Sequence, residues 1–443
     1  MEFNIELHIS KNLNPAEEYF ITFLNNRFEY LNKLWTQTLE KHFSKKFKPI
    51  SIFYNKNNTS IPKENYIIIS PKLNKTKKSN FIKIPENEDV NKLFSESKLL
   101  QTTINKIADK QGRIFILTWT NSFLNIPHPK VTIIGPNPKI VTHLDNKIEH
   151  IKLFTELDLP RNNVRVHNSI EEIKRLEKFP FFISAAYSSG GHESALIYTE
   201  RELDRFYVSL REENKWNKFL VADILENIIS SPNINAVVLG ENNTKIICIS
   251  EQILKGNHYL GNIYPWIIDE AFSENAKHTL ISVTKTVGNY LAKQGFRGMF
   301  GLDFIIDNQG NVFTVDLNPR HQGGYLCNVL MSTKINLLEI ELKLSLNEVV
   351  PDFQESDLQP DFCWGHTKLK GCSEVNQIIK SFTKGTPIDP FNDIGKQFCS
   401  VFYPKNTTFD GNTAGYYITS DKEYDKLLEK IKRVDILIGD IYV

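Results

Sequence analysis

The chain has 443 residues, 41% of them hydrophobic and 24% charged, with 53 Lys and Arg against 52 Asp and Glu for a formal net charge of +1. That length exceeds what one ordinary core organises, so two or three packed units are expected. A near-neutral balance lacks the basic footprint of nucleic-acid or anionic-membrane binding and points to small-molecule partners.

Residues 1–128 alternate short β-rich runs with helical patterns, the signature of an open α/β sheet. Strands are expected over 3–9, 49–54, 66–70 and 113–118. A long amphipathic helix is expected over 15–43, with Pro15 in its first turn, and a second helix over 98–110. The Lys72, Lys75, Lys77, Lys78 and Lys83 stretch, interleaved with Asn, Thr and Ser, reads as a solvated loop. After Pro127-His128-Pro129 a second unit, 129–345, opens with a strand over 131–135 and a helical stretch holding Asp145-Asn146-Lys147. There follow a strand over 179–186, a Ser188-Ser189-Gly190-Gly191 loop, a strand over 219–222 and a hairpin of 235–240 with 245–250. A long helix over 272–294 leads to two strands, 299–306 and 312–317, around an Asp307-Asn308-Gln309-Gly310 turn. A third unit, 346–443, begins with a linker over 351–360 and holds a strand near 397–403 and a helix near 424–433. No apolar run approaches the ~18 residues of a membrane helix, and no signal-like apolar segment follows Glu2 and Glu6. A soluble, cytoplasmic protein is expected. Cys248, Cys327, Cys363, Cys372 and Cys399 are odd in number and form no CxxC pair, which favours buried reduced thiols over disulfides or zinc.

The chemistry concentrates in Gly301-Leu302-Asp303-Phe304 and Val315-Asp316-Leu317-Asn318-Pro319-Arg320. If the two strands return on each other, period-two alternation puts Asp316 and Asn318 on one face with Asp303 beside them. Two carboxylates and an amide oxygen are hard ligands that suit Mg²⁺, which completes its shell with water and phosphate. Arg320, two residues past Asn318, falls on the same face if the strand persists, where its cation can stabilise developing anionic oxygens. No Walker A, GxGxxG or HExxH pattern competes with this site.

These residues resemble the metal-binding end of the ATP-grasp superfamily, and the thirteen-residue step from Asp303 to Asp316 is similar to that of D-alanine:D-alanine ligases. The resemblance covers roughly 129–345. It implies an α/β chain in three parts: an N-terminal open sheet domain, a two-lobed ATP-grasp unit and a C-terminal α/β segment. It also implies ATP with two Mg²⁺ ions held by Asp303, Asp316 and Asn318, and Arg320 steadying the acyl-phosphate and the tetrahedral intermediate. Asp316 is shorter than the usual Glu. Lys147 resembles the lysine that reaches the phosphates, and Leu157-Asp158-Leu159-Pro160 follows it in the family's order. Ser188, Ser189, Gly190 and Gly191 resemble the glycine-rich lid. Residues 219–225 are similar to the adenine hinge, with Asp223 near the base, Leu225 beneath it and Ala222 where an acid is usual. Ser184 stands where the family carries a second phosphate-binding Lys, with His192 and the lid as candidates to take over.

The Asn318-Pro319-Arg320-His321-Gln322 run is also similar to biotin carboxylases, but Gly324 stands where those enzymes carry a Glu base for bicarbonate. Gly323 and Gly324 leave room for a larger substrate or for close backbone approach. Arg297 is a candidate for a substrate carboxylate or a surface ion pair, His321 for a general acid or a structural group, and Gln322 and Gly323 for substrate contact. The implied activity is ATP-dependent joining of a carboxylate to an amine, both small molecules of the amino-acid or peptide kind, with neither nucleic acid nor membrane as partner. A homodimer stays open. The alternatives are a bicarbonate-using carboxylase and a non-catalytic ATP-binding module, the latter motivated by Ser184 and Ala222.

Overall fold

The computed structural model describes residues 5–9, 18–22, 29–45, 47–54, 66–71, 98–110, 113–118, 120–188, 191, 193–210, 218–370, 399–402 and 413–438. Pro15, the Lys72 to Lys83 stretch, Ser189, Gly190, His192 and Cys372 lie outside them. The first unit runs β1 (Ile5–Ile9), β2 (Glu18–Thr22), α1 (Glu29–Phe43), β3 (Phe47–Tyr54), β4 (Tyr66–Pro71), α2 (Lys98–Lys110), β5 (Ile114–Leu117) and β6 (Val131–Ile133). Its sheet has the order β1-β4-β3-β2-β5-β6, parallel except for β1. The helix expected over 15–43 is therefore corrected: Glu18-Tyr19-Phe20-Ile21-Thr22 is a strand between β3 and β5, and the described helix covers Glu29–Phe43. Aromatic and β-branched residues suit a pleated, half-buried surface, and pairing on both sides outweighs local helical periodicity. β6 completes this sheet beyond residue 128.

Two short helices follow, α3 (Pro138–Leu144) and α4 (Lys147–Glu156). Asn137 and Asn146 cap them by accepting from Lys139 and Ile148 N–H groups. A four-stranded antiparallel lobe comes next: β7 (Val164–His167), α5 (Ile170–Leu176), β8 (Phe181–Ala185), β9 (Ser194–Ile197), α6 (Glu200–Ser209) and β10 (Phe219–Ala222), in the order β7-β10-β8-β9. Phe181, Ile183, Ile197, Phe219 and Val221 on one face are buried with Ile170, Ile173, Leu203 and Phe206 of the helices. The cross-strand set Val164, Ala222, Phe182 and Leu196 shares the other face with Val166 and Ser184. Val166 and Leu196 there stay 39% and 41% exposed, an apolar surface that the described residues leave open.

A nine-stranded sheet carries the rest: β11 (Ile228–Ser230), β12 (Pro232–Gly240), β13 (Asn243–Lys255), β14 (His258–Tyr264), α7 (Glu270–Lys293), β15 (Gly298–Asp307), β16 (Val312–Asn318), α8 (Tyr325–Met331), α9 (Leu337–Ser345), β17 (Cys363–Lys370), β18 (Cys399–Phe402), β19 (Thr413–Asp421) and α10 (Tyr424–Ile438). The order is β11-β15-β12-β13-β14-β17-β19-β18 with β16 on β15, so the sheet continues past residue 345. Alternation along β12 decides what each face does. Ile234, Ala236 and Val238 pack against Ala276, Leu280, Val283, Val287 and Leu291 of α7, and Asn233 and Asn235 point to the opposite side. At the far end of that opposite side Val237, Met299, Tyr325 and Leu326 meet Leu31, Trp35 and Leu39 of α1 and Phe115 of β5, which joins the first sheet to this one. No helix among the described residues is long and apolar enough to cross a membrane.

Candidate nucleotide and metal site

β15 and β16 pair antiparallel with Asp303 opposite Asp316 and Gly301 opposite Asn318. Directly opposed residues share a face, so the two carboxylates and the amide stand together, on the side of the sheet away from α7. Asn318 Nδ2 lies 3.0 Å from Asp303 Oδ2, while Asn233 Nδ2 (2.5 Å) and Gln252 Nε2 (3.1 Å) meet Asp303 Oδ1. All three side-chain partners are neutral. Desolvation and the neighbouring Asp316 charge accordingly push the Asp303 carboxyl above its ordinary value, against the pull of Asn233, Lys147 and Asn318.

Asp316 has the opposite surroundings. Lys147 Nζ bonds its Oδ2 at 2.5 Å, and His150 Nδ1 faces its Oδ1 at 2.9 Å. Burial works against its ionisation, yet Lys147 and His150 together hold the carboxyl well below the usual carboxylate range. Both partners come from the first turn of α4. His150 is fixed in turn by its Nε2 bond to the Leu144 carbonyl. The Lys147 backbone N–H donates to Ala186 O at 2.9 Å, just past β8, so this one residue links the end of the small lobe to β16 of the large sheet.

Arg320 reaches the same neighbourhood from a loop, because β16 ends at Asn318. Its Nη1 donates to His321 O (3.2 Å) and its Nε lies 3.9 Å from Asp145 Oδ1, while Ser122 Oγ donates to the other oxygen of that carboxylate, Oδ2 (2.6 Å). Ser184 is 6% exposed on the open face of the small lobe and shares a hydrogen bond with Ser188 (2.9 Å). Gly191 takes φ +80° against the Asn257 backbone, where a Cβ would meet Asn257 O at 2.0 Å.

Other expected site residues have structural partners. Asp223 is exposed and bound by Arg165 (2.8 Å) and Asn163 (3.1 Å), and Leu225 is half-buried. Arg297 Nη1 donates to Ala292 O (3.0 Å) and Phe296 O (2.7 Å), closing the C-terminal end of α7. His321 is buried: its Nε2 meets Glu341 Oε1 at 2.6 Å, its ring stacks on Tyr325, and Tyr325 O–H donates to Glu341 Oε2 at 2.6 Å. Gln322 packs over Gly301, where a Cβ would lie 1.7 Å from its Oε1. The room expected at Gly323 and Gly324 is filled, by the Tyr259 hydroxyl and the Trp364 ring, so close approach is what these glycines allow.

Sequence reasoning missed His150, Asn233, Gln252 and Glu341. His150 was within reach as the i+3 neighbour of Lys147 on a helix face, and the Asn233-Ile234-Asn235 alternation in an apolar run was a legible sign of a polar sheet face. Glu341 stood out only as an acid amid Leu337, Leu338, Ile340 and Leu342.

The residues fit one hard cation readily. Asp303 carries a carboxylate that no protein cation bonds directly, and rotating the Asn318 amide exchanges its nitrogen for an oxygen. A small antiparallel lobe joined to a larger sheet that presents acid, acid and Asn, with a lysine between them, is the architecture of the ATP-grasp fold, and the chain has that fold. Its catalytic segment is similar to carboxylate-amine ligases: residues 160–318 match the family model described as L-aspartate--L-methionine ligase, ATP grasp. The chain is 24% identical over 240 residues to the 2-oxoglutarate carboxylase small subunit of Hydrogenobacter thermophilus, covering 51% of this chain and 48% of that protein. It is 25% identical over 104 residues to the L-propargylglycine--L-glutamate ligase of Streptantibioticus cattleyicolor, covering 24% and 20%. The matches thus span about half or less of these curated relatives. The carboxyaminoimidazole ribonucleotide synthase of Aspergillus clavatus, solved with ATP, superposes with a TM-score of 0.64 over 97% of this chain and 100% of that one at 9% identity, which speaks for the fold.

Proposed function

We propose that the protein is an ADP-forming ligase that activates a small carboxylate as its acyl-phosphate and joins it to an amine of the amino-acid or peptide kind. The observation that carries this reading is the opposed pair Asp303 and Asp316, with Asn318 beside them and Lys147 bridging to the small lobe. ATP brings the phosphoryl group, and Mg²⁺ bound with it neutralises phosphate charge. Asp303 and Asn318 would hold the metal, and Lys147 supplies an ammonium beside it. The apolar strip of Val164, Val166, Phe182 and Leu196 offers the base a surface. A substrate carboxylate oxygen attacks the γ-phosphorus as the bond to ADP breaks. The amine then attacks the acyl carbon, phosphate departs with the bonding electron pair, and the amine's proton passes to solvent. Arg320 steadies the oxyanion of that step, an interaction of a kind worth about 10²–10³ in rate.

A carboxylase is the second reading, in keeping with the similarity to the 2-oxoglutarate carboxylase small subunit. Against it stands Gly324: even a Cβ there would lie 2.6 Å from the Trp364 ring, so the position has no space for a carboxylate base. The test is phosphate release from ATP with pools of acids and amines, products read by mass spectrometry. Release that needs both an acid and an amine supports the ligase. Release that needs bicarbonate transfers the case to the carboxylase, and a flat signal in every pool ends both.

A further inference from the structure

Asp316 and Asp303 face each other across one strand pair, but only Asp316 bonds a protein cation, the Lys147 ammonium. Lys147 Nζ bonds its Oδ2 at 2.5 Å, and His150 Nδ1, which accepts from the Leu317 N–H at 3.5 Å, lies 2.9 Å from its Oδ1. Lys147 and His150 sit one turn apart on α4, so a single helix face mounts both. That helix is pinned by the Asn146 cap, by the bond from Lys147 N–H to Ala186 O and by the His150 contact with the Leu144 carbonyl. The aspartate side chain, one methylene shorter than glutamate, has both oxygens within reach of this face. Lys147 and Asp316 are each only 19% exposed, so their pairing is weakly screened.

From this we infer that the site takes one divalent cation, on Asp303 and Asn318, and that the Lys147 ammonium holds the second cationic position, against Asp316. The inference rests on the nucleotide-site reading above and specifies its charge count. A second dication would have to displace Lys147 from Asp316 and would leave its ammonium crowded against the ion in a poorly solvated corner. With one metal, the two carboxylates are balanced by the dication, and the ammonium, with its three donors, keeps a hydrogen available to phosphate oxygen while bonding Asp316.

Equilibrium dialysis of the full chain with Mn²⁺ and a β,γ-imido ATP analogue counts bound metal and bound nucleotide, and electron paramagnetic resonance reads whether bound ions are coupled, as ions about 3.5–4 Å apart are. One Mn²⁺ per nucleotide with an uncoupled spectrum is expected for the wild type. Two Mn²⁺ with a coupled spectrum overturns this inference and leaves the ligase reading standing, whereas nucleotide bound with no Mn²⁺, or no binding of either, overturns both. Lys147→Met is expected to raise the ratio to two; one Mn²⁺ per nucleotide in that variant overturns the part assigned to Lys147. Because Lys147 also serves the nucleotide, Asp316→Asn gives an independent measure. It is expected to keep one Mn²⁺ per nucleotide, and loss of the bound metal there sinks the one-ion arrangement.

Discussion

Asp303 and Asp316 are the same residue at paired positions, and their neighbours drive their ionisation apart. Asp303 meets amides and desolvation, which favour its neutral form, while Asp316 meets Lys147 and His150, which favour its charge. A folded-state value raised above the ordinary one means that Asp303 supports the metal-free fold fully below the ordinary carboxylate range. That support is lost as pH rises through the shifted value. Asp303→Asn in EDTA is therefore expected to melt above the wild type at pH 8, by about 1–3 kcal/mol of added stability, with the gap closed near pH 4. The same variant is expected to lose about 10²–10³ in ATP-dependent turnover. A lower melting temperature at pH 8 would contradict the assignment of Asp303 as the unmatched charge. The thiols behave more simply. Burial pushes Cys248 up to about 12, and Cys327 is raised likewise. Iodoacetamide at pH 8 should leave both untouched in the native chain and modify both in guanidinium, as peptide mass spectrometry would read, because only thiolates react.

At the level of elements, α7 lies so close to β13 that Gly288 has no room for a side chain: a Cβ would sit 2.3 Å from Thr244 Oγ1. Gly288→Ala gains about 1 kcal/mol of helix propensity. Overpacking against a strand residue that is itself buried costs about 1–3 kcal/mol, so the net expectation is a less stable protein by urea denaturation. A stabilised variant would mean that α7 and β13 can part at no cost. How far such elements could be read in advance follows from how local their causes are. α7, β15 and β16 are long, strongly patterned and joined by a tight turn, and each was expected within a few residues of its bounds. β2 was taken as helix because its strand character comes from β3 and β5, partners elsewhere in the chain. β7, β9, α5 and α6 are four to ten residues long, too short for periodicity to separate from loop. The site shows the same division. Asp303, Asp316 and Asn318 were legible from strand alternation, but the bond from Lys147 to Asp316 spans 169 positions and nothing local announces it. Arg297 and Asp223 looked available as exposed-type charges, and their capture by a helix end and by Arg165 is a tertiary fact.

On the scale of the whole molecule, the four-stranded lobe is its own folding unit. Its core of Ile173, Phe181, Ile183, Leu203, Phe219 and Val221 shares no member with the cores of the two larger sheets. Its contacts with the rest of the chain include Lys147 N–H to Ala186 O, Asn146 Nδ2 to Tyr187 Oη (3.3 Å) and Asn257 Nδ2 to the carbonyls of Gly191 (3.2 Å) and Ser194 (2.7 Å). A unit with a small core of its own opens at lower free energy than the rest. A nucleotide lying on its apolar face and reaching Lys147 must be released before that unit can open, so binding adds RT ln(1 + [L]/Kd) to the opening free energy. At a ligand concentration of about 100 Kd this amounts to about 2.7 kcal/mol, roughly a hundredfold slowing of amide exchange. Hydrogen exchange with and without Mg²⁺ and the imido analogue should therefore show slowing concentrated in β7 to β10 and in α4, with β1 to β6 little changed. Slowing spread evenly over all three sheets would mean that exchange proceeds through global unfolding and that the lobe is not separate. Slowing confined to the first sheet would put the nucleotide somewhere other than between Phe182 and Asp303.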